Sequence, residues 1–134
     1  MTLYVDSTAL AKRYVAETDS EVAEQLLLAD ADWLTANHTY VEVMLAMGRR
    51  LADGDLRSAR DAFASDWSRL LVVALDHEVC RRAAAIGAET GTRTLDALHL
   101  AAAERAGGRH LRFLTFDVRL ADAARSLGFA VIGS

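Results

Sequence analysis

Four carboxylates stand where short apolar runs give way to helical ones: Asp6, Glu42, Asp96 and Asp117. Asp6 ends the β-branched run Leu3-Tyr4-Val5, and Asp117 follows Leu114-Thr115-Phe116. Glu42 and Asp96 fall in the first turns of helical stretches. Carboxylates brought together in this way suit hard cations such as Mg²⁺ or Mn²⁺. One such ion, or two about 3.5–4 Å apart, can activate a water and steady the leaving oxygen of a phosphodiester. Without cations the four would repel one another, and some would stay protonated. Each acid also has an ordinary explanation. Asp6 and Asp117 are good helix N-caps, Glu42 can close a capping box with Thr39, and Asp96 favours a helix dipole. Asp55 and Asp76 occupy similar positions and carry no chemistry, so position alone does not single out the four.

The surroundings of Asp96 say more. Leu95, Leu98, Ala102 and Ala103 cannot all face water, so their helix is buried on most sides. A buried Asp needs a partner. A cation shared with the other acids would serve, and so would Arg93, one turn earlier. Ser7 and Thr115 stand next to Asp6 and near Asp117 as hydroxyls able to bond a carboxylate or a coordinated water. Lys12, Arg13 and Arg93 are the candidates for phosphate contacts. His38, His77, His99 and His110 are scattered, with no zinc-ligand spacing. His99, one turn after Asp96, is read foremost as a packed, hydrogen-bonded His that can also reach the acids. Cys80, Trp33 and Trp67 read as structural. No G-x-S-x-G and no phosphate-binding glycine loop occurs.

The elements that must position these residues alternate. Strands are predicted at Leu3–Val5, Trp33–Thr35, Leu71–Leu75, Leu111–Thr115 and Phe129–Ile132. Helices are predicted over Ser7–Val15, from the Thr18–Glu21 capping box to Ala29, from the Thr39–Glu42 box to Ala52, and over Leu56–Arg69 after the break Asp53-Gly54-Asp55. Three more follow: His77 to Gly91 behind an Asp76 cap, a helix capped by Thr92 or Thr94 and ended by Gly107-Gly108, and one from Asp117 to Leu127 closed by Gly128. Strands alternating with helices imply an α/β fold with a parallel sheet covered on both faces. All strands of such a sheet end on one edge, where ligands bind. Asp6, Glu42 and Asp117 therefore share that edge. Asp96 joins them only if its helix is an extra one starting beside it.

At 134 residues and 52% hydrophobic, the chain is expected to form one domain, residues 1–134, with a substantial core. The net charge of −4 argues against nucleic-acid binding through bulk charge and leaves only local basic contacts. A single cysteine excludes an internal disulfide and fits a reducing compartment. With no apolar run of membrane length and no evident signal peptide, a cytoplasmic protein is expected.

The motifs Tyr4-Val5-Asp6-Ser7-Thr8-Ala9-Leu10, Thr39-Tyr40-Val41-Glu42-Val43, Thr94-Leu95-Asp96-Ala97-Leu98-His99-Leu100-Ala101 and Leu114-Thr115-Phe116-Asp117-Val118-Arg119-Leu120, in this order, resemble the PIN domain. Within it they resemble the VapC-type toxins of bacterial toxin–antitoxin pairs. The resemblance spans essentially the whole chain. It implies a three-layer α/β/α domain with strand order 3-2-1-4-5, and Mg²⁺ or Mn²⁺ held for RNA hydrolysis. By that analogy Asp6, Asp96 and Asp117 contact metal, and Glu42 is a ligand or a water-orienting base. It also implies a homodimer and a small antitoxin as partner. An RNA-processing or DNA-cleaving nuclease, or a non-catalytic binding module of the same fold, is the alternative.

Overall fold

A computed structural model describes residues 2–134. Its strands are β1 (Leu3–Val5), β2 (Trp33–Ala36), β3 (Leu71–Val73), β4 (Arg112–Leu114) and β5 (Ala130–Ile132). They form one parallel sheet in the order β3-β2-β1-β4-β5. The helices are α1 (Ser7–Ala11), α2 (Ser20–Leu28), α3 (Thr39–Arg50), α4 (Asp53–Trp67), α5 (His77–Thr90), α6 (Thr94–Ala106) and α7 (Val118–Ser126).

The sheet separates two apolar cores, because successive side chains of a strand point to opposite faces. Leu3 and Val5 face one side and pack with Leu10 of α1, Leu27 of α2, Val43 and Met47 of α3 and Phe63 of α4. Tyr4 and Phe113 face the other side and pack with Ile86 of α5, Leu100 of α6 and Leu120 of α7. The result is three layers, α1–α4 and α5–α7 on either side of the sheet. β1 is central and fully buried. The loop after β1 therefore sits in the middle of the carboxyl edge, between the loops after β2 and β4.

α5 and α6 follow one another with no strand between them. Gly91, at φ 74°, ends α5 in the left-handed conformation and turns the chain. α6 then starts beside the carboxyl edge, where the Leu95 carbonyl accepts a 3.1 Å hydrogen bond from His38 Nε2 of the loop after β2. That is the extra helix Asp96 required.

Several local expectations need correction. α1 ends at Ala11 rather than Val15, and the chain turns at Lys12–Tyr14. The Thr18–Glu21 box does not form. α2 begins at Ser20, whose Oγ accepts from Glu17 N and donates to the Val15 carbonyl, so the local loop closes without Thr18. The Thr39–Glu42 box is also absent. Thr39 is the first helical residue, its hydroxyl pairs with Thr35 Oγ1, and Glu42 turns toward His99 instead. Neither Thr92 nor Thr94 caps α6. Arg93 holds the cap position, and Thr92 pairs with Thr90. The break before α4 falls at Leu51-Ala52, and Asp53 already belongs to the helix. The Asp6, Asp76 and Asp117 caps do form, each carboxylate accepting backbone N–H groups of its first turn.

Candidate functional site

Asp6 sits at the end of the central strand and is 1% exposed. Its carboxylate accepts from Ala9 N at 2.9 Å, from Thr8 Oγ1, and from Thr115 Oγ1 at 2.5 Å. Thr115 comes from the end of β4 and is itself fully buried. The same hydroxyl accepts from Asp117 N at 3.0 Å. One threonine thus binds two of the four acids to one another's backbone and side chain. The chain end passes directly over it: a Cβ on Gly133, at φ 98°, would lie 2.5 Å from the Thr115 carbonyl. Only a glycine fits there.

Glu42 projects from the first turn of α3. Its Oε1 accepts from His99 Nε2 at 3.0 Å and lies 3.6 Å from His38 Nε2. His99 is 1% exposed, and its Nδ1 bonds the hydroxyl of fully buried Tyr4 at 2.8 Å. The carboxylate is therefore held by a chain running from the middle of β1 through α6. Asp96, on the same helix, is half-buried and accepts no hydrogen bond among the described residues. Its nearest cation is Arg93 Nε at 3.9 Å, on a side chain that is largely exposed.

The electrostatics tie these positions together. Burial pushes the Asp6 carboxyl above its ordinary range, and His99 and the bonds from Thr115, Ala9 and Thr8 only partly oppose it. Burial also raises Asp96, the charge of Asp117 raises it further, and Glu42 adds to this against Arg93 and His99. Glu42 moves the other way. Burial would raise it, but the His99 bond, the charges of His99 and His38 and the Ser7 hydroxyl together lower it. Burial and the neighbouring His99 hold His38 down at about 4, against the pull of Glu42. Asp96 feeling both Asp117 and Glu42 means that acids from α3, α6 and the β4 edge share one field. Asp96, which feels the charges of Asp117 and Glu42 and has no hydrogen-bond partner among the described residues, fits an oxygen donor to a divalent cation, which would relieve that repulsion.

Two open hollows are lined between them by Glu42, Asp96 and Asp117, and Asp6 lines neither. One, of about 550 Å³, is lined by Ser7, Thr8, Lys12, Glu42, Phe116 and Asp117. The other, of about 640 Å³, runs along Arg93, Asp96 and Arg119. Lys12 reaches the first hollow while pairing with Glu17 at 2.9 Å. Arg13 does not reach either. Its guanidinium pairs with Asp66 at 2.9 Å and with Glu24, and covers the Trp33 ring. Trp33 begins β2, so Arg13 lies at the opposite edge of the sheet from the acids. Two carboxylates already engage its guanidinium there.

His38 and the Tyr4–His99 pair were missed as a constellation. The only sequence signal was His99 one turn after Asp96, and His38 carried none.

A family description, the PIN domain, matches residues 3–126. The chain belongs to the PIN-domain family. This PIN domain is 35% identical over 130 residues to Ribonuclease VapC46 of Mycobacterium tuberculosis strain ATCC 25618 / H37Rv, covering 97% of this chain and 95% of that one. It is 32% identical over 126 residues to Ribonuclease VapC3 of Pyrobaculum aerophilum, covering 91% and 94%. Among solved structures it superposes on the sarcin-ricin-loop-cleaving toxin VapC20 of M. tuberculosis with TM-score 0.74 at 18% identity, over 90% of this chain and 94% of that one. FitAcB of Neisseria gonorrhoeae gives TM-score 0.71 at 18% identity, over 98% and 96%. The PIN fold and its 3-2-1-4-5 sheet are thus shared where sequence identity is low. No helix of the described residues is long and apolar enough to cross a membrane.

Proposed function

We propose that this PIN domain is a divalent-cation-dependent endoribonuclease, the toxin of a toxin–antitoxin pair, acting on RNA in the cytoplasm. The observation that carries this reading is the shared field of Asp96, Asp117 and Glu42 on an edge where Asp96 has no hydrogen-bond partner among the described residues. The ribonucleases among its relatives supply the substrate class.

Asp6, Asp96 and Asp117 would hold Mg²⁺ or Mn²⁺. Bound there, such an ion supplies Lewis acidity toward a phosphodiester and lowers the pKa of a water. The chain does the rest. Thr115, Thr8 and the Ala9 N–H fix the orientation of the Asp6 carboxylate. The His99 bond keeps Glu42 ionised, so its other oxygen can accept a hydrogen bond from the attacking water and orient it. Arg93 and Lys12, at the rims of the two hollows, attract the flanking phosphates. An exposed single-stranded loop of a structured RNA is the substrate form that brings a backbone into such an open cleft.

The proposed partners are a small antitoxin and a second copy of the chain. A basic antitoxin residue would neutralise the acids and block the cleft. Val43 and Met47 of α3 and Ile86 of α5 are core. Exposed Val41 and Leu45, one turn apart on α3, offer the apolar surface instead. Light scattering over a wide concentration range tests the dimer; a monomer at high micromolar concentration removes it.

Incubation with total RNA and Mg²⁺, followed by mapping of new ends, tests the activity. Asp96→Asn should abolish cleavage and weaken stabilisation of the fold by Mg²⁺. Full activity of that variant, or of the wild type in excess chelator, refutes the mechanism.

A further inference from the structure

The imidazoles around Glu42 exceed what a set of four carboxylates requires. Glu42 Oε1 lies 3.0 Å from His99 Nε2 and 3.6 Å from His38 Nε2. One donor atom from each of the three residues lies within 4.8 Å of the others. The two rings stand with centroids 4.1 Å apart. Donors around a tetrahedral ion at about 2.0–2.1 Å are roughly 3.3 Å from one another. The two measured separations bracket that value.

We infer that His38, Glu42 and His99 form a site for a borderline divalent cation such as Zn²⁺ or Co²⁺, separate from the carboxylates that would take Mg²⁺. Two imidazoles and one carboxylate favour such ions, whereas Mg²⁺ prefers oxygen ligands and retained water. His99 already has the outer partner that metal-bound histidines characteristically carry: its Nδ1 is engaged by Tyr4, so its Nε2 is aimed at Glu42. A hydroxyl both donates and accepts, so that pair survives when Nε2 gives up its proton on ligation. His38 is held less firmly. Its Nε2 bonds the Leu95 carbonyl, and its Nδ1 is buried without a partner. Coordination through Nε2 replaces one hydrogen bond, and no bond at Nδ1 resists the change of tautomer. The ion has a way in, since the His38 and Glu42 side chains are 11% and 25% exposed while His99 is closed off. Three protein ligands leave a fourth position for water.

Occupancy would draw Glu42 away from the carboxylates. On the function proposed above, Zn²⁺ would then inhibit the Mg²⁺-dependent cleavage. Binding itself does not rest on that function and is read without RNA.

The test is the visible ligand-field spectrum of the intact protein titrated with Co²⁺. One ion per chain with an intense tetrahedral band is expected, resistant to excess Mg²⁺. Asp96→Asn should keep the band. His38→Gln, with its fold checked by circular dichroism, should lose it and raise the Zn²⁺ needed for half-inhibition by about tenfold or more, as loss of even an outer partner of a metal ligand can. No tetrahedral band, or a band that Mg²⁺ displaces and Asp96→Asn removes while His38→Gln retains it, overturns the site. A wild type that shows the band but cleaves no RNA would refute the ribonuclease proposal and leave this site standing.

Discussion

Replacing Thr115 with valine should separate the stability of the site from its chemistry. The side chain keeps its shape and stays fully buried, but its hydroxyl is lost. That hydroxyl donates to Asp6 Oδ2 at 2.5 Å and accepts from Asp117 N at 3.0 Å. A hydrogen bond to a charged group contributes about 1.5–3 kcal/mol. The orphaned Asp117 N–H is less costly, because that loop is only partly buried and water can reach it. A net loss of about 2–3 kcal/mol follows, or roughly 10 °C in Tm for a domain of this size.

The pH dependence carries the sharper test. Asp6 is raised in the folded state, so the folded protein holds its proton more tightly than the unfolded chain. Stability contributed by the protonated form is therefore complete below the unfolded pKa and is lost as pH rises through the folded one. Thr115→Val raises Asp6 further, so its deficit should be largest at neutral pH. At lower pH the deficit should shrink as the Asp6 carboxyl takes up its proton. Mg²⁺ should recover part of the neutral-pH loss, and Thr115→Ser most of it. Urea unfolding at both pH values, with and without Mg²⁺, measures this. A Thr115→Val variant within about 0.5 kcal/mol of wild type, or one whose deficit is independent of pH, would refute the role given to this hydroxyl.

Other substitutions divide the surface by role. Arg93→Ala and Lys12→Ala should each weaken RNA binding and flatten its salt dependence, read by fluorescence anisotropy over a salt series; unchanged slopes would put the phosphate contacts elsewhere. Arg13→Ala should leave RNA binding intact and cost about 1–2 kcal/mol, because Tyr14 and Arg69 still bond the Asp66 it abandons. Chemical denaturation beside the same anisotropy assay distinguishes these. His99→Gln keeps an N–H donor toward Glu42 and should retain much more kcat than His99→Ala, with KM little changed. The alanine variant should fall by up to roughly 100-fold, the scale of a small misplacement of a catalytic group. Equal kcat for both variants would remove the positioning role of His99.

The sheet was legible in the sequence because each strand is a short apolar run placed against a helix start, and because Asp6, Asp76 and Asp117 mark three of those starts with caps that do form. At some positions where expectation failed, a side chain had two possible partners and the distant one prevailed. Glu42 illustrates it. Its spacing from Thr39 makes a capping box the local choice, worth about 1 kcal/mol at an exposed helix end. In the fold Thr39 is buried against Thr35, and Glu42 meets a histidine 57 residues further on. A carboxylate facing a buried, oriented imidazole forms a stronger bond than the box provides. Arg13 follows the same rule in the opposite direction: its charge suggested phosphate, and two carboxylates of neighbouring helices reached it first.

Burial decides which of the four acids act as structure and which remain open to a ligand. Asp6 and Asp117 are caps, and on the function proposed above they would also be site residues, with Asp6 already bonded through both oxygens and Asp117 lining a hollow. The structural and chemical explanations, alternatives at the level of sequence, are here compatible for the same atom group. Asp96 is different: no donor among the described residues meets it, and burial and two like charges raise it. In a fold that satisfies Asp6 four times over, counting both bonds from Thr8, that carboxylate is where the proposed cation would supply the missing positive charge. The histidines bonded or close to Glu42 would make that need selective, since imidazoles and carboxylates favour different cations. Which cation binds where would then be a matter of ligand type rather than of net charge.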